Sequence, residues 1–193
     1  KASSPLYAIP TTAGTGSEVT VGAVISDDQT HQKNLILDPN VVPRMVALDS
    51  GIMSGMPPKV TAETGMDALT HAVEAYMSEI ATNESDLYAR AAVKLIFENL
   101  RIVYTEPKNL VAREAMALAS HYGGLALNQG GLGYVHGIAH QLGSYYGLPH
   151  GLSNAIVMPH VLAFSRPVID NKLADLARFA GLVTQETSTA IAA

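Results

Sequence analysis

The sequence has 193 residues, of which 48% are hydrophobic and 15% are charged, so the chain can bury a sizeable core. Its formal net charge of −5, with no visible basic stripe, argues against a nucleic-acid partner, which would need clustered Lys and Arg. Because the chain has no cysteine, a disulfide framework and a thiolate ligand are both excluded, and any metal site must use nitrogen and oxygen atoms.

Residues 1 to about 50 alternate short apolar runs with turns, a pattern typical of strands. The predicted strands are Leu6–Ile9, Val21–Ile25, Asn34–Leu37 and Met45–Leu48. A loop of small residues, Pro10-Thr-Thr-Ala-Gly-Thr-Gly-Ser-Glu18, follows the first of them. Such a loop can bring backbone amides to a phosphate, but most Thr/Gly clusters are ordinary turns, and this one is neither a Walker A loop nor GxGxxG.

From Pro57 onward the periodicity is helical, with glycine and proline between the helices. The predicted helices are Val60–Ile80, Ser85–Tyr104, Leu110–Leu127, Tyr134–Tyr145, Leu152–Ser165 and Asp170–Leu182. The change of pattern places a boundary between two parts of the chain near residues 51 to 58.

A first group of chemically active side chains lies on the first predicted helix. Asp67, His71 and Glu74 fall on one face, opposite an apolar face that includes Leu69 and Val73. Taken alone, the Asp/His pair is weak evidence for a site, because a polar stripe on a helix commonly faces water.

A second group contains four of the seven histidines, namely His136, His140, His150 and His160. His136 and His140 have the i, i+4 spacing that places two imidazoles on one helical face, so spacing alone favours this pair as metal ligands. The neighbours are Leu, Val, Ile and Tyr, which predicts partly buried imidazoles that need partners. Gly147 and Pro149 indicate that His150 comes from a turn or a helix start.

Three motifs together resemble the iron-containing (group III) alcohol dehydrogenases. They are Gly65-Met-Asp-Ala-Leu-Thr-His71, Gly131-Leu-Gly-Tyr-Val-His-Gly-Ile-Ala-His140 and Pro149-His-Gly151. The resemblance implies that the metal ligands are Asp67, His71, His136 and His150. It also implies that His140 faces the substrate and nicotinamide, where an imidazole could exchange a proton.

The same resemblance extends to the N-terminal loop, since the Pro-Thr-Thr-Ala-Gly-Thr-Gly-Ser-Glu motif is typical of that family. It implies that the nicotinamide dinucleotide is lined by Thr11, Thr12, Thr15, Thr20 and Lys33. The expected fold is then an α/β N-terminal portion, residues 1–52, which is a remnant of a dinucleotide-binding domain. An all-α metal-binding domain, residues 53–193, follows. The family's upstream glycine-rich segment is not in the sequence, so we expect a middle fragment of such an enzyme.

The function implied by the resemblance is oxidation of a small alcohol, or reduction of an aldehyde, with NAD or NADP and a metal. Fe²⁺ is the favoured ion, and Zn²⁺ suits the same donors. A homo-oligomer is also implied. No signal peptide or membrane-spanning run is visible, so we expect a cytoplasmic protein without a membrane partner. Two alternatives stay open: a polyol dehydrogenase or lyase of the glycerol dehydrogenase or dehydroquinate synthase type, and an inactive metal-binding fragment.

Overall fold

The computed structural model describes residues 5–27, 29–30 and 33–193, and its N-terminal part holds two small sheets of two strands each. Strand β1 (Tyr7–Ala8) pairs in parallel with β4 (Met45–Val46). Strand β2 (Gly22–Ser26) pairs antiparallel with β3 (Lys33–Leu37), with Gly22 opposite Leu37. The four predicted strands are confirmed, although β1 and β4 are shorter than their apolar runs suggested.

Helices dominate the described residues from Ser50 onward. They are α1 (Ser50–Met53), α2 (Pro58–Met77), α3 (Asn83–Thr105), α4 (Leu110–Gly130), α5 (Tyr134–Tyr146), α6 (His150–Phe179) and α7 (Thr189–Ala192). This architecture, a small strand-containing portion followed by an all-α region, confirms the predicted fold class.

The helix ends follow from local sequence chemistry. The Thr82 hydroxyl accepts a hydrogen bond from the Ser85 N–H (3.1 Å) and Ser85 Oγ accepts one from the Thr82 N–H (2.8 Å), which forms a capping box at α3. Asn109 caps α4 by accepting from the Ala112 N–H at 3.2 Å. Helix α5 stops at Gly147, whose φ of 64° lies in the left-handed region that glycine adopts readily.

Helix α6 corrects one prediction. The periodicity predicts two helices, Leu152–Ser165 and Asp170–Leu182, but the chain forms a single helix of 30 residues that contains Pro159 and Pro167. Each proline removes one backbone donor, and the loss is tolerated because α6 packs against α2 and α5. The Arg166 Nε to Asp170 Oδ1 ion pair, at 2.9 Å, spans the second proline.

Among the described helices, none combines the length and hydropathy that crossing a membrane would require.

Helix α2 forms the centre of the helical part, because α3, α4 and α6 all pack against it. Its small residues Ala68, Ala72 and Ala75 are completely buried. The polar face of α2 is buried too, with exposures of 3% for Asp67, 4% for His71 and 8% for Glu74. The alternative that this polar face is in contact with water is therefore wrong. Buried polar groups need partners, and those partners come from α5 and α6.

Candidate metal centre

Three helices bring imidazole rings to one carboxylate oxygen. Helix α2 supplies Asp67 and His71, α5 supplies His136, and the first residue of α6 is His150, as the turn signals predicted. The Oδ1 atom of Asp67 lies 3.7 Å from His71 Nε2, 3.4 Å from His136 Nε2 and 3.2 Å from His150 Nε2. All four side chains that the family resemblance implied as ligands therefore meet at one point.

The innermost three of these groups form a compact set. Ligand atoms of Asp67, His71 and His136 all lie within 4.8 Å of one another. The rings of His71 and His136 are stacked, with centroids 4.7 Å apart and planes 6° from parallel. His150 adjoins this set through Asp67, and its ring is tilted by 50° against that of His136. Its side chain is 32% exposed, which places it on the open side of the centre.

The electrostatics of the set suit a cation. Burial alone would raise the pKa of Asp67, but the neighbouring imidazoles of His71, His136 and His150 outweigh it and hold that pKa well below its usual value. Burial lowers the pKa of His71 more than Asp67 raises it, so this imidazole is neutral at neutral pH. An anionic carboxylate beside neutral imidazole is the protonation pattern that a bound metal requires.

Two further residues complete the site, and the sequence interpretation assigned neither of them. Glu74 Oε2 lies 2.6 Å from His136 Nδ1, and Glu74 Oε1 accepts the backbone N–H of Val135 at 2.7 Å. Asn154 donates from Nδ2 to Asp67 Oδ1 at 2.8 Å. Signals for both were present, because Glu74 lies one turn beyond His71 on the same face and Asn154 lies four residues after His150.

His140 lies at the edge of the centre. It is half-buried on α5, and its ring stacks on His150 with centroids 5.1 Å apart. Burial, followed by the neighbouring charges of His150 and His136, lowers the pKa of His140 to about 4. The preference for a His136 and His140 ligand pair on spacing alone is not supported, since the compact set pairs His136 with His71 and Asp67 instead.

The threonine loop packs on the helices close to the centre. The backbone of Gly14 approaches the His71 ring, and a Cβ added at Gly14 would lie 2.6 Å from Thr64 Cβ on α2. On α4, Asn128 Nδ2 donates to the Val19 carbonyl at 2.6 Å. The loop therefore contacts both α2, which carries two candidate ligands, and α4.

The side chains predicted to line the dinucleotide differ in exposure. Thr11 and Thr15 are exposed, Thr12 is half-buried and Thr20 is buried, at 7% exposure. Lys33 begins β3, and a Cβ added at Gly143 of α5 would lie 3.2 Å from its Nζ atom. Its charge contributes to the low pKa of His140. The structure thus brings Lys33 to the His140 side of the centre and leaves Thr20 inside the protein.

Comparison with known proteins places the chain in a family. Residues 61–193 match the family described as Fe-containing alcohol dehydrogenase family, C-terminal, and residues 1–50 match that described as iron-containing alcohol dehydrogenase. The chain belongs to the iron-containing alcohol dehydrogenases. The predicted resemblance is thereby confirmed.

Individual members of the iron-containing alcohol dehydrogenases are similar along almost the whole chain. The NAD-dependent methanol dehydrogenase of Bacillus methanolicus is 44% identical and the 1,3-propanediol dehydrogenase of Citrobacter freundii 46% identical, each over 98% of this chain. A solved structure of 1,3-propanediol oxidoreductase has a TM-score of 0.93 at 45% identity, over 97% of this chain and 49% of that one. The chain spans about half the length of the curated relatives it matches, 50% and 49% for the two enzymes.

Proposed function

We propose that this protein interconverts a small alcohol and its aldehyde by hydride transfer with NAD or NADP at a divalent metal centre. The observation that carries the proposal is the meeting of three imidazole nitrogens within 3.7 Å of one buried carboxylate oxygen. Membership of the iron-containing alcohol dehydrogenases supplies the class of reaction. A homo-oligomeric assembly, implied by the resemblance, and a cytoplasmic location, expected from the sequence, belong to the same proposal.

The donor set fits the proposed ion. Asp67, His71, His136 and His150 would hold it, and three imidazoles with one carboxylate suit Fe²⁺ or Zn²⁺ by ligand type. The family name favours iron. His71 and Asp67 are both almost fully buried, and an ionised carboxylate in such surroundings is costly unless a positive charge compensates it.

A bound metal would polarise the alcohol or aldehyde oxygen, and the nicotinamide would accept or supply the hydride. The chain's own residues would do the rest. His140, kept neutral by its low pKa and only half-buried, would exchange the substrate proton with solvent. Lys33, with Thr11, Thr12 and Thr15, would line the nicotinamide side, and the buried Thr20 would support their loop from inside.

The first test is metal analysis of the full-length natural protein purified without oxygen. It is paired with NAD(H)-linked oxidation of short alcohols before chelation, after chelation, and after Fe²⁺ or Zn²⁺ is restored. We expect about one metal per chain and activity that follows the metal. His160→Ala is the matched control, because His160 is an exposed histidine on α6 outside the centre. A metal-free protein with full activity would refute the proposal.

These 193 residues span only about half of each relative, and this observation favours a second candidate function for the 193 residues by themselves. The second candidate is a fragment that binds a metal without turning over alcohol. Fluorescence quenching of NADH separates the candidates: quenching by the metal-loaded protein supports the dehydrogenase, and its absence at every metal loading supports a metal-binding fragment.

A further inference from the structure

The two carboxylate oxygens of Glu74 contact two consecutive residues at the start of α5. Oε1 accepts the backbone N–H of Val135 at 2.7 Å, and Oε2 lies 2.6 Å from the Nδ1 atom of His136. Glu74 is on α2, 61 positions before Val135 in the chain, and is buried at 8% exposure. A buried carboxylate with two short contacts to one helix start is a specific arrangement, since burial without partners would be strongly unfavourable.

The start of α5 lacks a cap of its own. Its N-cap residue, Gly133, makes no side-chain capping hydrogen bond, so the first backbone N–H groups need acceptors from elsewhere. Glu74 supplies one, with a negative charge at the positive end of the helix dipole. A Cβ added at Gly133 would lie 2.7 Å from Glu74 Oε1, so glycine at this position leaves room for the carboxylate.

The second oxygen determines how His136 presents its ring. Because a carboxylate accepts and does not donate, the ring proton lies on Nδ1, between His136 and Glu74. The Nε2 lone pair is then on the opposite side of the ring, where Asp67 Oδ1 lies 3.4 Å away and Asn154 Nδ2 lies 3.2 Å away. One carboxylate therefore fixes the helix start, the ring orientation and the tautomer of a candidate ligand.

We propose that Glu74 is a positioning residue of the metal centre: it caps α5 from α2 and holds His136 with Nε2 toward the ion. The inference rests on the proposed metal centre and adds a residue that acts through a ligand. Groups that orient a metal-bound imidazole in this way contribute about 10- to 100-fold in metal affinity.

The test compares Zn²⁺ affinity of full-length wild type and Glu74→Gln by competition with a chromophoric chelator. Glutamine keeps the shape but has a single acceptor oxygen, so it can serve Val135 or His136 and not both. We expect Zn²⁺ to bind Glu74→Gln about 10 to 100 times more weakly. Glu98→Gln on α3, whose carboxylate is exposed and pairs only locally with Lys94, should bind as wild type does.

A second variant and a spectroscopic readout separate positioning from general loss of structure. Gly133→Ala would displace the Glu74 carboxylate without changing any charge, and should weaken Zn²⁺ binding in the same direction. In the Co²⁺-substituted protein, the exchangeable, paramagnetically shifted Nδ1 proton of His136 should be seen in wild type. It should be lost or exchange rapidly in Glu74→Gln. If Glu74→Gln does not fold, the Zn²⁺ affinity of Gly133→Ala tests the positioning role of Glu74 instead.

The outcomes distinguish this inference from the proposed function. Unchanged Zn²⁺ affinity in Glu74→Gln or, where that variant fails to fold, in Gly133→Ala overturns the role of Glu74 and leaves the dehydrogenase intact. Zn²⁺ binding by wild type that depends on Glu74, without any NAD(H)-linked turnover, overturns the dehydrogenase and leaves Glu74 intact. A wild-type protein that binds no Zn²⁺, Co²⁺ or Fe²⁺ overturns both.

Discussion

Asp67 is the residue at which the candidate centre converges. Its Oδ1 atom faces three imidazoles and accepts a hydrogen bond from the Asn154 amide at 2.8 Å. The carboxyl stays ionised although it is 3% exposed, because the surrounding imidazoles and hydrogen bonds outweigh the penalty of burial. Replacing any imidazole around it should therefore affect the metal more than the fold.

The roles of two histidines can be separated by mutation. His150→Ala should lose the metal and with it the activity, because it removes an imidazole 3.2 Å from Asp67 Oδ1. His140→Ala should keep the metal and lower turnover roughly 100-fold, as expected when a proton-transfer group is removed. Metal content and kcat of the two purified variants check this. Loss of the ion from His140→Ala, with retention in His150→Ala, would reverse the ligand assignment.

A second residue-scale prediction concerns Asp175, which joins three helices. Its carboxylate accepts hydrogen bonds from Tyr76 on α2 and Arg90 on α3. The Tyr76 hydrogen bond, opposed by partial burial and aided by Arg90, lowers the pKa of Asp175 in the folded protein. Asp175→Asn should reduce the free energy of unfolding at pH 7 by about 1 kcal/mol, a figure discounted for the solvent exposure of this pair.

The pH dependence of this effect has a definite sign. A carboxyl whose pKa is lower in the folded protein stabilises it above the unfolded pKa of about 4 and ceases to do so as pH falls through the lower folded value. The difference in stability between wild type and Asp175→Asn should therefore be constant from pH 7 to about 5 and shrink below about pH 4. Urea unfolding at several pH values measures it, with Glu98→Gln as the control. A difference that grows toward acid would contradict the assignment.

At the scale of helices, sequence periodicity located α2 to α5 to within a few residues, because each has regularly spaced apolar residues and glycine or proline close to at least one end. It failed at α6, where prolines that usually end helices lie inside one. The candidate set of four ligands came from the resemblance, because spacing alone favoured His136 with His140 and the contacts that unite the set join distant parts of the chain. Asn154 and Asp67, for example, are 87 positions apart.

Close packing of α6 on α2 supports a prediction about glycine. A Cβ at Gly151 would lie 1.8 Å from the backbone oxygen of Glu63, so Gly151→Ala must push the start of α6 away from α2. We expect a loss of about 2 to 3 kcal/mol in stability, together with weaker metal binding because His150 is the preceding residue. Melting temperature and metal affinity measure the two effects.

Gly137→Ala is the matched control for that variant. A Cβ at Gly137 on α5 would meet nothing within 4 Å, so this change should stabilise the protein by up to about 1 kcal/mol through helix propensity alone. If both variants lowered stability equally, the close approach at Gly151 would not be the cause.

At the scale of the whole molecule, the candidate centre joins α2, α5 and α6. A ligand that binds the folded state alone stabilises it by about 2.7 kcal/mol at a concentration 100 times its Kd. Removing the metal by chelation should therefore lower the melting temperature by roughly 5 to 10 °C. His136→Ala should show no such shift and His160→Ala the full one. If wild type had the same melting temperature with and without metal, the ion would not bind at the candidate centre between α2, α5 and α6.

The two parts of the chain approach each other most closely at glycines. Gly16 has a φ of 58°, and a Cβ at Gly124 of α4 would lie 2.9 Å from the Gly16 carbonyl oxygen. Gly14 meets Thr64 of α2 with equally little space. The Asn128 side chain of α4 also donates to the Val19 carbonyl across this seam, and backbone segments packed this closely cannot slide past each other without clashing. If the proposed enzyme opens and closes around a dinucleotide, we expect residues 11–20 to move with the helices, so that the hinge lies elsewhere in the chain.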